Sequence, residues 1–338
     1  MNTKEQIKDY ILNLIGQGEK HLTRKVCETF SISRSTVYNY TNELIRSGTV
    51  LRGDDGSLYL AILKTGFVYT LPFCEEDRAF KRDILPLLKQ FPDNVTAIWR
   101  HAFTEMMNNA IEHSEADSIT VAVYQSAIDT QIVILDNGVG IFNKIRQYMR
   151  TEKDEDIPLE ECVSLLFAGK FTTARQNHSG EGIFFTSHLM DSFFIVSDRL
   201  IFTRNNFTDG TAPAEFMEHG TLVQMKLSNK SHKTVTEVFN RYTDDGNSFS
   251  KTSIPIAHIF TDGYPVSRSE ARRLGSMLSE FEEAVLDFNG VPGIGQAFTH
   301  ELFVVWQKNH PDIHLELVNV PAEAAKMISR VKHDAGIE

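Results

Sequence analysis

The chain has 338 residues, 41% of them hydrophobic and 23% charged, with a formal net charge of −11. These values fit a soluble globular protein of two or three domains. No apolar run approaches the ~18 residues of a membrane span, and the start Met1-Asn2-Thr3-Lys4-Glu5-Gln6 lacks a signal peptide's apolar region. Cys27, Cys74 and Cys162 lie far apart with no metal-ligand spacing, which leads us to expect a reducing, cytoplasmic setting. Charge is uneven: residues 1–64 carry +2 and the remainder −13. A mildly basic N-terminal module on an acidic body suits a regulator that touches nucleic acid at one end.

Taken in chain order, residues 3–16 place Ile7, Ile11, Leu14 and Ile15 on one helical face, and Gly16 and Gly18 end that helix. Thr23 is a candidate cap for a second helix bearing Val26, Cys27 and Phe30. Ser33 caps a third, Arg34 to about Arg46, with Gly48 at its C-terminal end. Val50-Leu51-Arg52 and Leu58-Tyr59-Leu60 flank Asp54-Asp55-Gly56, a hairpin turn signal. Three short helices and a two-stranded ribbon describe a winged helix-turn-helix.

A linker and pre-helix region is expected over about 65–95, then a long helix from Asp93-Asn94 to His113. Strands are expected at 118–124 and 130–135. Residues 141–179 read as polar and irregular, Gly180–Leu189 as a loop entering a helix, and 192–202 and 221–227 as strands. The polar stretch 231–250 reads as a boundary. Beyond it, strands near 256–260, 284–288 and 313–318 alternate with helices at 267–280, 296–309 and 321–333, a small α/β domain.

Three motifs carry chemistry. On the long helix, Glu105 and Asn109 are four residues apart and share one face. An amide oxygen suits a hard cation, and a carboxylate can orient or deprotonate a water. The same pair also fits a solvated face. The strand Ile132-Val133-Ile134-Leu135 ends in Asp136-Asn137-Gly138-Val139-Gly140. A carboxylate there can accept from an exocyclic amine while the glycines admit a flat ring, although Asp-Asn-Gly is also ordinary turn chemistry. Finally, Gly180-Glu181-Gly182 leads into a helix whose first amides can meet phosphate oxygens.

In this order, and with Gly220-Thr221 opening a later strand, these motifs resemble the GHKL (Bergerat-fold) ATPases over about residues 90–228. That superfamily includes gyrase-type topoisomerases, chaperone ATPases, histidine kinases, MutL proteins and anti-sigma serine kinases. The resemblance implies ATP and Mg2+ as ligands. It implies that Asn109 binds Mg2+ and phosphates, Asp136 reads the adenine amino group and Gly138 and Gly140 admit adenine. Gly180 and Gly182 would flank the phosphates, and Thr221 would support the adenine end. Glu105 would be the general base, and 141–179 the lid, with Lys170, Thr172, Thr173 and Arg175 near the γ-phosphate. Two departures weigh against a histidine kinase: Ile-Phe-Phe follows Gly182, and no helical hairpin can carry a phosphoacceptor His. His101 and Asn108 read as structural.

The segment Arg34–Asn42 resembles the recognition helix of bacterial winged helix-turn-helix regulators. Arg34 can read guanine and Asn39 adenine, Ser35 or Thr36 can hold phosphate, and Tyr38 shares the helix. Arg52 on the wing can touch backbone. Protein contact alone is the competing use. Residues Val285–Leu302 look like a divergent STAS-type domain, as in anti-sigma-factor antagonists, where a Ser or Thr at this helix start is phosphorylated. Here the nearest hydroxyl is Thr299, one turn late, with Gln296 closer to the expected place.

The resulting expectation is an α+β multidomain chain. A winged helix occupies 1–64, and a Bergerat α/β sandwich (mixed sheet with helices on one face) occupies 65–230. A small STAS-like α/β domain occupies 250–338. The leading functional reading is an ATP-binding, slowly hydrolysing transcriptional or signalling regulator that binds double-stranded DNA through residues 1–64, with protein contact or self-association through the STAS-like domain. The alternatives are an anti-sigma-type Ser/Thr kinase and a non-catalytic scaffold.

Overall fold

A computed structural model describes residues 3–170, 180–203, 219–244, 248–260 and 264–337. The N-terminal unit comprises α1 (Lys4–Gly16), α2 (Leu22–Phe30), α3 (Arg34–Arg46), β1 (Val50–Arg52) and β2 (Leu58–Leu60). Thr3 and Gln6 form a reciprocal capping box on α1. Thr23 does not cap α2; it lies inside the first turn. The preceding turn is already satisfied, because Glu19 accepts from His21 N at 2.7 Å and pairs with Lys25. Ser33 Oγ accepts from Thr36 N at 3.2 Å and starts α3. Gly48, at φ +73°, ends it while its own N–H and that of Thr49 return to Ile45 and Leu44 carbonyls. The strands pair antiparallel, Val50 opposite Leu60. Ile7, Ile11, Leu14, Val26, Val37, Leu44 and Val50 form this unit's core.

The expected linker is instead structure. β3 (Leu63–Thr70) is the edge strand of a six-stranded sheet, followed by α4 (Glu76–Ala79), a π-helical turn Phe80–Ile84 and α5 (Leu85–Leu88). Only one face of β3 is half-buried, so its alternation is weak in the sequence. Next come α6 (Asp93–His113), β4 (Ser118–Gln125), β5 (Asp129–Asp136), α7 (Ile141–Glu152), α8 (Leu159–Ala168) and α9 (Gly182–Leu189). They are followed by β6 (Ser192–Ser197), β7 (Leu200–Thr203), β8 (Thr221–Ser228) and α10 (Val235–Tyr242). The strand order is β3-β4-β5-β8-β6-β7. The sheet is antiparallel at every neighbouring pair, not mixed. The helical crossover does bring β6 parallel to β5, but β8 inserts between them and opposes both.

Three further expectations are corrected. Residues 141–168 are not irregular: α7 buries Phe142 and Ile145 behind an exposed polar face, and α8 buries Cys162, Leu166 and Phe167. Residues 192–202 are a hairpin, turned at Asp198 and Arg199 with φ of +51° and +64°. The polar 231–250 stretch contains α10, whose Phe239 stacks on Phe185 at 3.9 Å between ring centres.

The C-terminal domain contains β9 (Lys251–Pro255), α11 (Ile256–Ile259), α12 (Arg268–Leu278), β10 (Glu283–Asp287) and α13 (Gln296–His300). A π-helical turn Glu301–Trp306 leads to α14 (Gln307–Asn309), β11 (His314–Val318) and α15 (Ala322–Asp334). The expected strand at 256–260 is displaced to 251–255, since Ile256–Ile259 is helical. The sheet is parallel, order β11-β10-β9. This domain and the larger sheet domain share buried aromatic residues. Phe184 and Phe185 of α9 meet Phe249, at 4.7 and 5.0 Å, and Phe249 meets Phe281 at 5.2 Å. Each buried Phe contributes roughly 1.5–3 kcal/mol, which makes this joint a common core. The N-terminal unit docks differently, on the β4–β5 turn: Ala127 and Ile128 pack into its core, and Lys230 reaches Asp9 at 2.5 Å.

Candidate nucleotide site

A cavity of about 270 Å³ opens between α6, the end of β5, the starts of α7 and α9, and α8. Among the sequence-predicted residues, Glu105, Asn109, Asp136, Gly140, Gly180, Gly182 and Thr221 line it together. They come from four separate stretches of chain. Asn108 does not line it, and His101 packs edge-on against Phe239, where burial lowers its pKa to about 4.

The Asp136 end is a closed hydrogen-bond system. Asp136 is 4% exposed, and Gly138 N and Thr221 N donate to its Oδ1 at 2.9 and 3.1 Å. The second carboxylate oxygen is thus uncommitted to backbone. Burial raises the Asp136 pKa, and the hydrogen bonds from Gly138 and Thr221 oppose that shift. Gly138 is required by the turn itself. A Cβ there would stand 1.9 Å from the Ser114 carbonyl oxygen, against which Val139 N already bonds at 2.8 Å. Gly138→Ala is therefore expected to cost on the order of 3 kcal/mol, because backbone must move. Urea unfolding would check this, and an unchanged midpoint would refute it.

Gly140, at φ +85°, is required twice over. A side chain would be strained there, and its Cβ would lie 2.7 Å from both Asp198 carboxylate oxygens. Ser197 and Asp198 were not legible as site residues. Ile141 N donates to Ser197 Oγ at 3.2 Å and to Thr221 Oγ1 at 3.0 Å. Asp198 accepts from Asn143 N at 3.1 Å at the start of α7, where a carboxylate complements the helix dipole. A turn signal was present at 197–199, but nothing local shows that it closes onto Gly140. Leu166 of α8 and Lys144 of α7 also line the cavity, the latter paired with Glu115.

At the other end, Gly182 opens α9 against Glu105. A Cβ on Gly182 would meet Glu105 Oε2 at 2.3 Å, so glycine is what lets that carboxylate reach the loop. The lining carries Glu105, Asp136 and Glu181 against Lys144, an acidic balance for a polyphosphate site. Among the described residues, no three His, Cys, Asp or Glu side chains cluster to hold a metal.

Lys170 does not line this cavity. Its Nζ donates to the Glu280 carbonyl at 2.6 Å and lies 4.6 Å from the Phe281 ring centre and 5.6 Å from that of Phe249. The common core with the C-terminal domain captures it. Partial burial lowers its pKa, countered by Glu280 and Glu181. Thr172, Thr173 and Arg175 lie outside the described residues. Thr299 is fully buried, its hydroxyl bonded to the Gly295 carbonyl at 2.8 Å, so it is no accessible phosphoacceptor. On the N-terminal unit, Arg34, Ser35, Tyr38, Asn39 and Arg52 are exposed and Thr36 is half-buried. All three cysteines are free thiols. Among the described residues, no helix is long and apolar enough to cross a membrane.

Residues 94–195 match the family model of the histidine kinase-, DNA gyrase B- and HSP90-like ATPases. The chain therefore carries a GHKL-type ATP-binding domain, matched from the start of α6 into β6. Residues 271–323 match the model of a STAS-like domain of unknown function (DUF4325), which places such a domain at the C-terminal end. A comparison with curated proteins found no match.

Proposed function

We propose that this chain is an ATP-responsive regulator that binds duplex DNA through a winged helix at residues 1–64. The observation that carries the ATP half is the Asp136 system: a buried carboxylate held by two backbone amides at the head of a cavity that Asn109, Glu105 and Gly182 also line. Asp136 accepts from the adenine amino group. Thr221 and Gly140 shape the ring slot. Asn109 would hold Mg2+ through its amide oxygen, and the ion would neutralise phosphate charge there. Glu105 orients a water and takes its proton at a carboxylate oxygen as the water oxygen bonds to the γ-phosphorus and the bond to the ADP oxygen breaks. Hydrolysis is slow and resets the regulator in a cytoplasmic setting.

The DNA half is supported by the exposed row Arg34, Ser35, Tyr38 and Asn39 on α3 and by exposed Arg52 on the ribbon. Such a row suits a major groove, and Thr36 suits a phosphate. Arg34→Ala is expected to cost about 1–3 kcal/mol in duplex binding and to relax preference at one base. Salt titration of full-length chain on duplex DNA checks the premise. A flat dependence of affinity on salt would exclude phosphate contact and favour a protein-binding winged helix. The kinase alternative loses its self-substrate, because Thr299 is buried.

A further inference from the structure

Helix α8 stands between the cavity and the C-terminal domain. Its Leu166 lines the cavity. It also reaches the C-terminal domain: Ser164 Oγ donates to the Ile259 carbonyl at 2.8 Å, Phe167 meets the His258 ring at 5.9 Å, and Glu161 pairs with Arg273 of α12. Two residues beyond α8, Lys170 is bound to the Glu280 carbonyl over the Phe281 ring. The phosphate-side helix α9 is likewise backed by Phe249. The walls of the nucleotide cavity are therefore also the docking surface of the C-terminal domain.

We propose that the C-terminal domain senses the nucleotide through α8: Lys170 has two competing acceptors, the neutral Glu280 carbonyl and the nucleotide's anionic phosphates, and a bound triphosphate weakens docking of the C-terminal domain by drawing Lys170 away. This rests on the ATP reading above. The electrostatics supply the direction. Among the described residues, the cavity lining offers three carboxylates and one lysine already paired with Glu115. A triphosphate entering that field gains from any further cation, and Lys170 lies within electrostatic range of Glu181, which lines the cavity. By linkage, whatever loosens α8 from the C-terminal domain must tighten triphosphate binding by the same factor.

The Glu161–Arg273 pair is the contact to break, since neither residue lines the cavity. Affinities of full-length protein for MgATP and for adenosine are compared by calorimetry. Arg273→Glu, and the milder Glu161→Gln, are expected to strengthen MgATP binding about threefold, the scale of a partly exposed ion pair. Adenosine, which has no phosphates, should bind unchanged. The double exchange Glu161→Arg with Arg273→Glu should return MgATP affinity to the wild-type value. Hydrogen exchange in β9 and α12 should rise when MgATP is added. Unchanged or weaker MgATP binding in both single variants overturns the coupling, as does an equal gain for adenosine. Absence of MgATP binding to the wild-type chain would instead overturn the ATP reading, and this proposal with it.

Discussion

Asp136→Asn is expected to weaken ATP binding about a hundredfold or more while preserving the fold. The asparagine Oδ1 can accept from Gly138 N and Thr221 N as the carboxylate does. Its amide nitrogen, however, replaces the acceptor that faces the adenine amine, setting donor against donor in a buried site. Losing a charge-assisted bond and stranding its partner costs about 3 kcal/mol, a factor near one hundred. Stability should move the other way. Burial raises the folded-state pKa of Asp136 above its unfolded value. The group's stabilising contribution is therefore complete below the unfolded pKa and is lost as pH rises through the folded one. Asparagine has no such loss, so the variant should gain thermal stability relative to wild type at pH 7 but not near pH 4. Calorimetric affinity and unfolding at both pH values test the two halves, and retained ATP affinity would remove Asp136 from adenine recognition.

Glu105→Gln should slow phosphate release by about a hundredfold or more, the usual contribution of a positioned general base. ATP should bind as well or better, because one of three carboxylates lining the cavity is neutralised. Glutamine keeps the shape against Gly182, whose missing Cβ leaves room for Glu105 Oε2. A rate loss with intact binding thus separates chemistry from packing. Single-turnover phosphate release with pre-bound ATP makes the measurement, and equal rates in the two proteins would leave Glu105 a structural neighbour only.

The contrast between what was legible and what was not follows the range of the interactions. The helix expected from Asp93-Asn94 to His113 matches α6 at both ends, and its buried Val95, Ile98, Trp99, Ala102, Phe103 and Met106 repeat every three to four residues. Glu105 and Asn109 fall on the complementary face for the same reason. Asp136, Gly138 and Gly140 were visible as a turn, since glycine is the residue that turn chemistry demands. Ser33 and Gly48 marked α3 by capping. By contrast, β3 buries only part of one face, so residues 65–70 read as linker until β4 pairs with them. Likewise α7 hides its apolar stripe among polar and charged residues.

By itself, then, the sequence determined the local elements and the order of the nucleotide-site motifs, because caps, turns and helical faces depend on residues a few positions apart. Only the tertiary structure decided that Ser197 and Asp198 close onto Gly140, that β8 separates β5 from β6 and makes the sheet antiparallel, and that Lys170 is held by Glu280 across the common core. Those contacts join residues tens of positions apart. Their energies come from burial and desolvation between surfaces that have no local signature, so they exist only once the chain has packed.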